Sequence, residues 1–458
     1  MTLHINGGLP ARRDARHWAL TLIAAGMLGS ASGCSGLLDV TNPNNVNATA
    51  LNNAASAAAQ VNGVIAQLTK GVTQVVGDLE VASDDMTWSG SLDGLNQLNR
   101  GFVRDAFNEF LEDGAFGMNP ARYSANRTIT QLEEFQAAGT LADVSQLVLA
   151  NLYAAVAYDF IANHYDDYVI GSDQRVASPP VGSDKMVTLY DSVEAATGRG
   201  LALAPASNNA LRGQLLAMRA RGKFDRAVWR MLNPSGKTPT QPLVNEQGAY
   251  DDALAALALL GSDTRFKLEP QPGMSYGNCF LPSCTNSRRE IKFSPAIATY
   301  DYLGTKTLTV AIKDPISGQP DPVINLLGLE FVNNNLLSPV TITGSRDMLL
   351  IMAEVALAKG NMADFATRIN ALRSLNALPA WTGMGGQPSA LAMLQYERRV
   401  NLFMQGRRLN DMYRFGVVGA DWVSNSDAVT CPGSMFPITN SERLTNPLAA
   451  TSTPSCGK

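Results

Sequence analysis

The sequence has few histidines and few charged side chains. Its 458 residues include three histidines, and only His164 lies beyond residue 33. A Ser-His-Asp or Cys-His constellation would have to use that single histidine, and no G-x-S-x-G element presents a serine. Zinc needs more nitrogen or thiolate ligands than the chain offers. The sequence therefore favours a protein that is not an enzyme and has no cofactor or metal, with His164 solvated or capping a helix.

The charge balance limits the possible partners. The chain has 36 Lys and Arg against 40 Asp and Glu, a net charge of −4, and charged residues make up 17% of it. It lacks a basic tail and a basic stripe with interleaved aromatic rings, which are the usual footprint of a nucleic-acid-binding protein. These features argue against nucleic acid as a partner. The low share of charged residues suits a compact helical protein.

The first 33 residues have the pattern of an export signal. Arg12 precedes an apolar run from Trp18 to Leu28, which is too short to remain as a membrane-spanning helix. Small residues and then Cys34 follow. This arrangement resembles a bacterial lipobox, although Ala31 stands where leucine is usual. The resemblance implies that residues 1–33 are removed and that Cys34 is lipidated; a plain secretory signal is the alternative. Removal of three arginines and one aspartate would leave a net charge of −6.

The remaining cysteines are even in number, which in an exported protein predicts disulfides. They are Cys279, Cys284, Cys431 and Cys456, and three pairings are possible. We favour Cys279–Cys284, which would close a small loop, and Cys431–Cys456, which would tie down the C-terminal tail. A metal site is the alternative, and it lacks a nearby histidine.

The most regular helical pattern lies between residues 345 and 416. Ser345 is predicted to cap a first helix, and Gly360 stands where a left-handed stop favours glycine. Asn361 is predicted to cap a second helix, and a third is predicted to end at Gly406. Charged side chains recur through this stretch and are predicted to form ion pairs between stacked helices; binding of an anionic ligand is the alternative. They are Glu354, Glu397, Arg398, Arg399, Arg407, Arg408, Asp411 and Arg414.

Elsewhere the apolar periodicity predicts further helices and one region of different character. Helices are expected over about 48–79, 96–111, 120–138, 144–165 and 248–261. Residues 209–234 resemble one tetratricopeptide unit, that is, a pair of short helices. Between residues 262 and 340, Gly, Pro, Asn and Ser become frequent, and runs such as TLTVAI and PVTIT favour short strands.

Three motifs in fixed order carry a family resemblance. They are AEVALAKGN, then IN-x-LR at Ile369 to Arg373, then ERR-x-NLF-x-QGRR-x-ND-x-YRFG ending at Gly416. This series resembles the C-terminal half of SusD/RagB proteins, which are lipid-anchored outer-membrane proteins that bind nutrients for a TonB-dependent transporter. The segments ARYSANRTITQLEEF and MFPITNSERLTNPL are also similar to the family. The resemblance implies a mostly α fold, with tetratricopeptide-like helical hairpins in an α-α superhelical scaffold and a loop-rich insertion carrying a few short strands.

The resemblance also implies a domain layout. Residues 1–33 would be the lipoprotein signal peptide, and residues 34–458 a single SusD-like domain. Within that domain we expect an N-terminal helical part over about 34–260 and the loop-rich insertion over 262–340. The helical hairpin and closing helix would occupy 345–416, and a loop-rich tail 417–458.

The function implied is non-catalytic binding of an oligosaccharide, or alternatively a peptide, at the surface of a Gram-negative type bacterium. The ligand would pass to a SusC-like TonB-dependent transporter in the outer membrane. Aromatic ring faces would stack on sugar rings while polar side chains bind hydroxyls. The candidate ligand-binding residues in loops are Trp88 with the adjacent Asp84 and Asp85, Tyr276, Trp381 and Trp422. Two alternatives remain: an envelope scaffold without a nutrient ligand, and a glycan-degrading enzyme, which needs two facing carboxylates in a cleft.

Overall fold

The computed structural model describes residues 51–171, 176–272 and 279–450 together with Cys456. From Ala54 to Lys458 the chain forms one compact unit, which is mostly helical with a few short strands. The predicted signal segment and Cys34 lie outside the described residues, so their assignments stay predictions.

Three long helices and one short helix build the N-terminal part of the described chain. They are α1 (Ala57–Ala82), α2 (Asp93–Asn99), α3 (Glu109–Ala137) and α4 (Val144–His164), with strand β1 (Met86–Trp88) after α1. Helices α1 and α3 cross with their backbones in contact at Gly71 and Gly117. A Cβ atom built on Gly117 would lie 2.5 Å from the Cα of Gly71, so only glycine allows this approach.

The helix predicted over 120–138 is confirmed except for its start, and the separate helix predicted over 96–111 is wrong. The chain instead forms the short α2 and a continuous α3. Helix α3 begins early because the Asn108 side chain accepts a hydrogen bond from the backbone N–H of Phe110, which caps the helix. The helix then continues through Pro120. Proline is favoured at the first position of a helix, so the sequence alone predicts a helix start there.

Helix α4 is the central core helix, with the predicted bounds. It is long and apolar enough to cross a membrane by length and composition, but 72% of its most apolar window is buried inside the protein. The expectation of a solvated or capping His164 at its end is wrong. The imidazole is fully buried, neither ring nitrogen has a hydrogen-bond partner among the described residues, and burial lowers its pKa. His164 is therefore a neutral core side chain.

The middle of the chain adds helices α5 (Leu189–Leu203), α6 (Asn209–Leu232) and α7 (Gln247–Leu260). Helix α5 was not predicted, whereas the helix expected near 248–261 is confirmed as α7. The interpretation of residues 209–234 as two short helices is wrong, because α6 is continuous. Gly222 lies inside α6, where a Cβ atom would be 2.7 Å from Val193 of α5. The glycine therefore permits close helix packing rather than a turn.

Short antiparallel strand pairs and one helix make up the next region. The elements are β2 (Arg265–Leu268), β3 (Ile291–Phe293), β4 (Ala298–Tyr300), β5 (Leu308–Val310), α8 (Pro322–Asn333) and β6 (Val340–Gly344). Strand β1 pairs with β3, β2 with β6, and β4 with β5. The predicted loop-rich insertion with short strands is confirmed for the described residues, and α8 is an element that the prediction did not contain.

The C-terminal helices are α9 (Ser345–Ala358), α10 (Met362–Ser374), α11 (Ala390–Asn401), α12 (Arg408–Phe415), α13 (Asp427–Thr430) and α14 (Asn440–Thr445). The Asn361 cap is confirmed, since its side chain accepts from the N–H of Asp364, and Gly360 has a left-handed φ of 72°.

Two details of this stretch differ from prediction. The Ser345 hydroxyl does not cap α9, because it accepts from the N–H of Thr264 and donates to the carbonyl of Gly261. Helix α11 ends at Asn401, five residues before Gly406. Both Met404 and Gly406 have positive φ there, which is incompatible with a continuing helix.

The predicted ion pairs between helices are confirmed and lie in the interior. Arg414 pairs with Glu354 and Asp411, and Arg398 pairs with the same two carboxylates. Burial alone would raise the pKa of Asp411, but the two guanidinium groups hold it at about 2. Further buried or half-buried pairs are Arg373–Glu397, Arg407–Asp225, Arg399–Asp84 and Arg408–Asp84. The arginine-rich motif therefore holds helices together rather than facing a ligand.

Candidate functional site

Helix α3 presents a stripe of polar and aromatic side chains on its uncovered face. Phe116, Asn119, Tyr123, Asn126 and Thr130 follow one another at i, i+3, i+7, i+10 and i+14, and all are at least partly exposed. Residues at these spacings lie on one side of a helix. The opposite side of α3 is buried against the core, so the stripe has a fixed orientation.

A groove runs along this stripe, between α3, residues 169–171 and 176–178, and α14. We call it the α3 groove. It has two lobes of about 360 Å³ and about 430 Å³, which share Arg122, Tyr123 and Gly171 in their walls. The other lining residues are Phe116, Asn119, Pro120, Asn126, Arg127, Thr130, Gln131, Glu134, Val169, Val176, Ala177, Ser178, Glu442, Thr445 and Asn446.

The floor of the α3 groove offers both donors and acceptors. Arg122 is buried, and its Nη2 donates to the carbonyl of Gly171 at 2.8 Å. Its Nε has no acceptor among the described residues. The Asn446 side chain donates to the carbonyl of Ser178 and to the carboxylate of Glu442, at 2.8 and 2.9 Å. The amide, carboxylate and guanidinium groups are thus fixed by protein contacts before any ligand arrives.

A proline changes the backbone in the wall of the same groove. Pro120 lies inside α3 and has no N–H, so it gives no helical hydrogen bond to the carbonyl of Phe116. Both residues line the groove. The wall therefore includes a backbone acceptor whose usual helical donor is missing.

Large apolar side chains surround the α3 groove. Phe116 and Val176 line the groove, Leu444 and Leu448 lie within two residues of lining residues, and all four side chains are more than half exposed. Single exposed apolar residues are normal, but a cluster around a polar groove is typical of a surface that meets another molecule.

A second groove of about 600 Å³ lies beside α2, and we call it the α2 groove. The guanidinium of Arg100 stands 5.6 Å from the centroid of the Phe102 ring within it, an attractive cation–π arrangement. The lining residues are Asp93, Gln97, Arg100, Phe102, Arg104, Asp105 and Asp427. This groove also combines one aromatic ring with amide, carboxylate and guanidinium groups.

The acidic residues predicted to bind a ligand beside Trp88 have structural contacts instead. Asp84 accepts from Arg399 at 2.9 Å and from Arg408 at 2.5 Å. Asp85 is buried, and burial, together with the charge of Asp84, raises its pKa to about 6. Both side chains lie under the arginine-rich turn, and neither lines either groove.

The structure describes three of the four predicted aromatic residues, and they differ in burial. Trp88 is half-buried on β1, and Tyr276 lies outside the described residues. Trp381 is buried edge-to-face against Phe365 and donates its indole N–H to the carbonyl of Pro388. Trp422 is buried as well, and its indole N–H donates to the carbonyl of Ala82. In this arrangement Trp381 and Trp422 are packing residues, because a buried indole has no face open to a sugar.

The cysteines lie in the favoured pairs. Cys279 and Cys284 are joined with a Cα separation of 4.8 Å, and Cys431 and Cys456 with one of 6.3 Å. Within the parts of the chain that the structure describes, no group of three His, Cys, Asp or Glu side chains is arranged to hold a metal ion.

The residues of the α3 groove were not among those predicted from the sequence. Their signal was present, since Phe, Asn, Tyr and Asn recur at helical spacing while the other side of the helix is apolar. Such a stripe also fits an ordinary solvated helix face. The stripe lines a groove only because opposing walls are present near residue 171 and in α14, and these segments are distant from α3 in the sequence.

Comparisons with known proteins show the fold. No protein-family model matches the sequence, and no curated protein matches it either. Among solved structures, a SusD superfamily protein from Bacteroides fragilis is similar with a TM-score of 0.61 and 15% identity, covering 86% of this chain and 98% of that chain. Surface glycan-binding protein A from Bacteroides uniformis has a TM-score of 0.50 and 12% identity, covering 88% and 100%. A laminarin-binding SusD-like protein has a TM-score of 0.50 and 15% identity, covering 89% and 100%.

Proposed function

We propose that this chain, which has the SusD-like fold, captures a glycan without cleaving it and delivers it to a TonB-dependent outer-membrane transporter. The main support for the proposal is the α3 groove, which has polar groups held by protein contacts and aromatic side chains in its wall. Two proteins of the same fold are described as a surface glycan-binding protein and a laminarin-binding protein, which supports this ligand class.

The chemistry of the groove suits a sugar. The rings of Phe116 and Tyr123 stand two helical turns apart on α3, where each can cover the apolar face of one sugar ring. Asn119 and Asn126 lie on the same stripe, and an amide both donates to and accepts from a hydroxyl group. Polar groups fixed in an otherwise partly apolar groove are the usual means by which a site orients a small ligand.

The carboxylates of the groove do not favour hydrolysis. A glycosidase needs two carboxyl groups about 5 to 10 Å apart on either side of the scissile bond. Glu442 lines one lobe and Glu134 the other. Glu442 accepts a hydrogen bond from Asn446, and Glu134 accepts one from Gln131. Each lobe thus has one carboxylate among its lining residues, whereas cleavage needs two on either side of one bond.

The exposed apolar side chains around the α3 groove, which we call its rim, support delivery to a partner protein. They include Phe116, Val176, Leu444 and Leu448. If the rim residues pack against a transporter, the polar groove is enclosed between the two proteins, and a bound glycan faces the transporter lumen. Lipidation at Cys34 after removal of residues 1–33 would hold the protein at the outer membrane, close to such a partner. The cell-surface location and the lipid anchor belong to this proposal.

Two measurements test the function. The purified domain is applied to an array of polysaccharides, and binding to one glycan class is expected. The lipidated protein is then used as bait in detergent-solubilised outer membranes, and one TonB-dependent barrel is expected in near-equal amount. Binding of a peptide library but no glycan would change the ligand class. Recovery of many envelope proteins, without a barrel or glycan, would instead favour the scaffold role.

A further inference from the structure

We infer that the hairpin between β4 and β5, together with two neighbouring loops, forms a surface that lies against an anionic lipid bilayer. We call it the hairpin surface, and its members are Arg289, Tyr302, Leu303, Lys306, Leu336 and Leu337. Such a contact is separate from the capture of a glycan, because none of these residues lines the α2 groove or the α3 groove.

The tip of the hairpin is apolar, exposed and held by its own hydrogen bonds. Leu303 lies in the loop that joins β4 to β5 and is 83% exposed, the largest value for a large apolar side chain in the described part of the chain. The Asp301 carboxylate accepts from the backbone N–H groups of Leu303, Gly304 and Thr305, at 3.2, 2.8 and 2.8 Å. The loop therefore presents a leucine to solvent from a fixed backbone, and the leucine gains free energy when it leaves water.

Asn286 joins the hairpin to two further leucines. Its side-chain oxygen accepts from the Tyr302 hydroxyl at 3.4 Å, and its amide nitrogen donates to the carbonyl of Asn335 at 3.0 Å. The next two residues after Asn335 are Leu336 and Leu337, which are 41% and 40% exposed. These leucines and the leucine at the hairpin tip thus flank one asparagine and belong to one surface.

The charged side chains around these leucines are mostly basic. The Arg289 guanidinium stands 5.7 Å from the centroid of the Tyr302 ring, an attractive cation–π arrangement, and Lys306 is exposed in the hairpin loop. Between residues 286 and 337, all five Lys and Arg side chains are exposed, whereas Asp301 is the one exposed acidic side chain. The hairpin surface is therefore cationic in a chain whose net charge is −4.

The other carboxylates near the hairpin surface do not cancel this charge, because they are held elsewhere. Glu290 is buried and accepts from the backbone N–H groups that follow β1. Glu330 on α8 pairs with Arg265 and Lys267 of β2. The basic side chains of the hairpin surface thus remain available to an anionic partner.

Three residues of these loops have an uncommon backbone conformation. Arg289, Lys306 and Asn335 have positive φ values of 59°, 52° and 52°, which residues other than glycine adopt rarely. They are three of six such residues in the described part of the chain. Conformations of this kind persist where the surrounding contacts hold them, and they are concentrated at functional sites.

A lipid bilayer fits this surface better than a protein partner does. Residues 303–307 are all exposed, so the tip offers single side chains, whereas a stable protein interface needs a broad complementary face. In a bilayer, leucines enter the boundary between headgroups and acyl chains while neighbouring Lys and Arg side chains bind the lipid phosphates. Apolar residues with a basic rim match both layers.

The proposed lipid anchor is compatible with this contact. The 17 residues from Cys34 to Leu51, the first described residue, can extend to at most about 60 Å. Helix α1 has 26 residues and is therefore about 39 Å long. The hairpin surface lies towards the C-terminal end of α1, since Ser89, just after β1, donates to the carbonyl of Arg289 at 3.1 Å. A tether longer than α1 allows the anchor and the hairpin surface to reach one bilayer.

The test measures flotation of the mature chain with vesicles. Cys34→Ser is present throughout, so that no lipid anchor contributes. One set of vesicles is pure phosphatidylcholine, and the other is an equal mixture of phosphatidylcholine and phosphatidylglycerol. Leu303→Ser, Lys306→Glu and Arg289→Gln change the hairpin surface. The controls are Met384→Ser, at a residue that is 71% exposed, and Lys185→Glu, at an exposed lysine. Circular dichroism checks that each variant is folded.

The unmodified surface should bind the mixed vesicles and not pure phosphatidylcholine, and added salt should weaken the binding because it screens the charges. Lys306→Glu and Arg289→Gln should each lower the partition coefficient by at least about fivefold, which is the contribution of one basic side chain near an anionic membrane. Leu303→Ser should lower it by at least about fivefold as well, because less apolar surface leaves water. Both controls should bind like the unmodified chain.

Equal binding to the two kinds of vesicle, or binding to neither, would refute the lipid contact. Losses in the two controls as large as those in the hairpin variants would refute it too. Dextran sulfate, a soluble polyanion without an apolar part, is the competing probe. If it binds through Lys306 while the vesicles do not bind, the hairpin surface recognises an acidic polymer and not a bilayer. Each of these results leaves glycan capture in the α3 groove unaffected.

Discussion

Replacing Arg414 by methionine tests the ion network on which the C-terminal helices depend. The Arg414 guanidinium donates to both oxygens of Glu354, to Asp411 at 2.8 Å and to the carbonyl of Pro242 at 2.9 Å. The Arg414 and Glu354 side chains have no exposed surface. Methionine has a similar length and no charge, so the change removes the interaction and leaves the buried carboxylates in place.

The expected loss follows from what remains around Glu354. The N–H of Val244 still donates to it at 2.9 Å, and Arg398 lies 3.5 Å away. Neither contact replaces the bidentate pair that Arg414 forms with the two carboxylate oxygens of Glu354. Because a buried charge that has lost its partner is poorly solvated, Arg414→Met should lower the free energy of unfolding by about 3–5 kcal/mol. The pKa of Asp411 should also rise from its value of about 2, since one of its two guanidinium partners is gone.

Urea unfolding, followed by tryptophan fluorescence, measures the loss in free energy of unfolding. The comparison holds when the dependence of that free energy on urea concentration has the same slope in each variant. Glu354→Gln and the double variant complete a thermodynamic cycle, in which the double variant should be less destabilised than the sum of the single variants by at least about 1 kcal/mol. Arg226→Met is the control, because its partners Asp191 and Glu194 are exposed and partly exposed, and it should cost at most about 1 kcal/mol. The reasoning is refuted if Arg414→Met costs no more than this control, or if the two single effects simply add.

Two further predictions concern the core. Gly71→Ala places a Cβ 2.7 Å from the backbone of Gly117 and should cost about 1–3 kcal/mol of stability. The control, Gly63→Ala in the same helix, meets nothing within 4 Å and should be neutral or stabilising by up to about 1 kcal/mol. Equal urea midpoints for the two variants would contradict the close crossing of α1 and α3. The pKa of Asp85 is raised from 3.8 to about 6, first by burial and then by Asp84. The folded state therefore binds more protons at Asp85, and the stability that this group contributes should fall by about 3 kcal/mol as the pH rises from about 4 to about 7. Asp85→Asn should lack this fall in a urea series across that range, and parallel curves for the two proteins would show that Asp85 titrates normally.

The parts of the fold that follow from local chemistry were predictable from the sequence. Asn361 and Gly360 mark a helix start and a helix end through their own side-chain and backbone properties, and both act as expected. The bounds of α4 were also predictable, because its long apolar pattern is a local property of the sequence. The continuous course of α3 through Pro120 was not predictable, because tertiary packing of α3 on α1 outweighs the local cost of a proline.

The site was less predictable than the fold. Trp381 and Trp422 have loop-like surroundings in the sequence, yet both are buried with their indole N–H groups bonded to carbonyls. A loop position does not reveal whether a ring points inward or outward. Tyr123 and Phe116 were overlooked for the converse reason, since their helix looks like an ordinary packed helix. Only the opposing wall around residue 171 and α14 makes their face a groove.

The most direct test of glycan capture in the α3 groove is a calorimetric titration of the glycan that the array identifies, with wild type, Tyr123→Ala and Tyr300→Ala. Tyr300 is a partly exposed tyrosine on β4 that lines neither groove. We predict that Tyr123→Ala weakens binding by about tenfold or more and that Tyr300→Ala binds like wild type. Unchanged affinity of folded Tyr123→Ala would contradict the assignment of the α3 groove, and a loss in Tyr300→Ala would place the ligand near β4 instead.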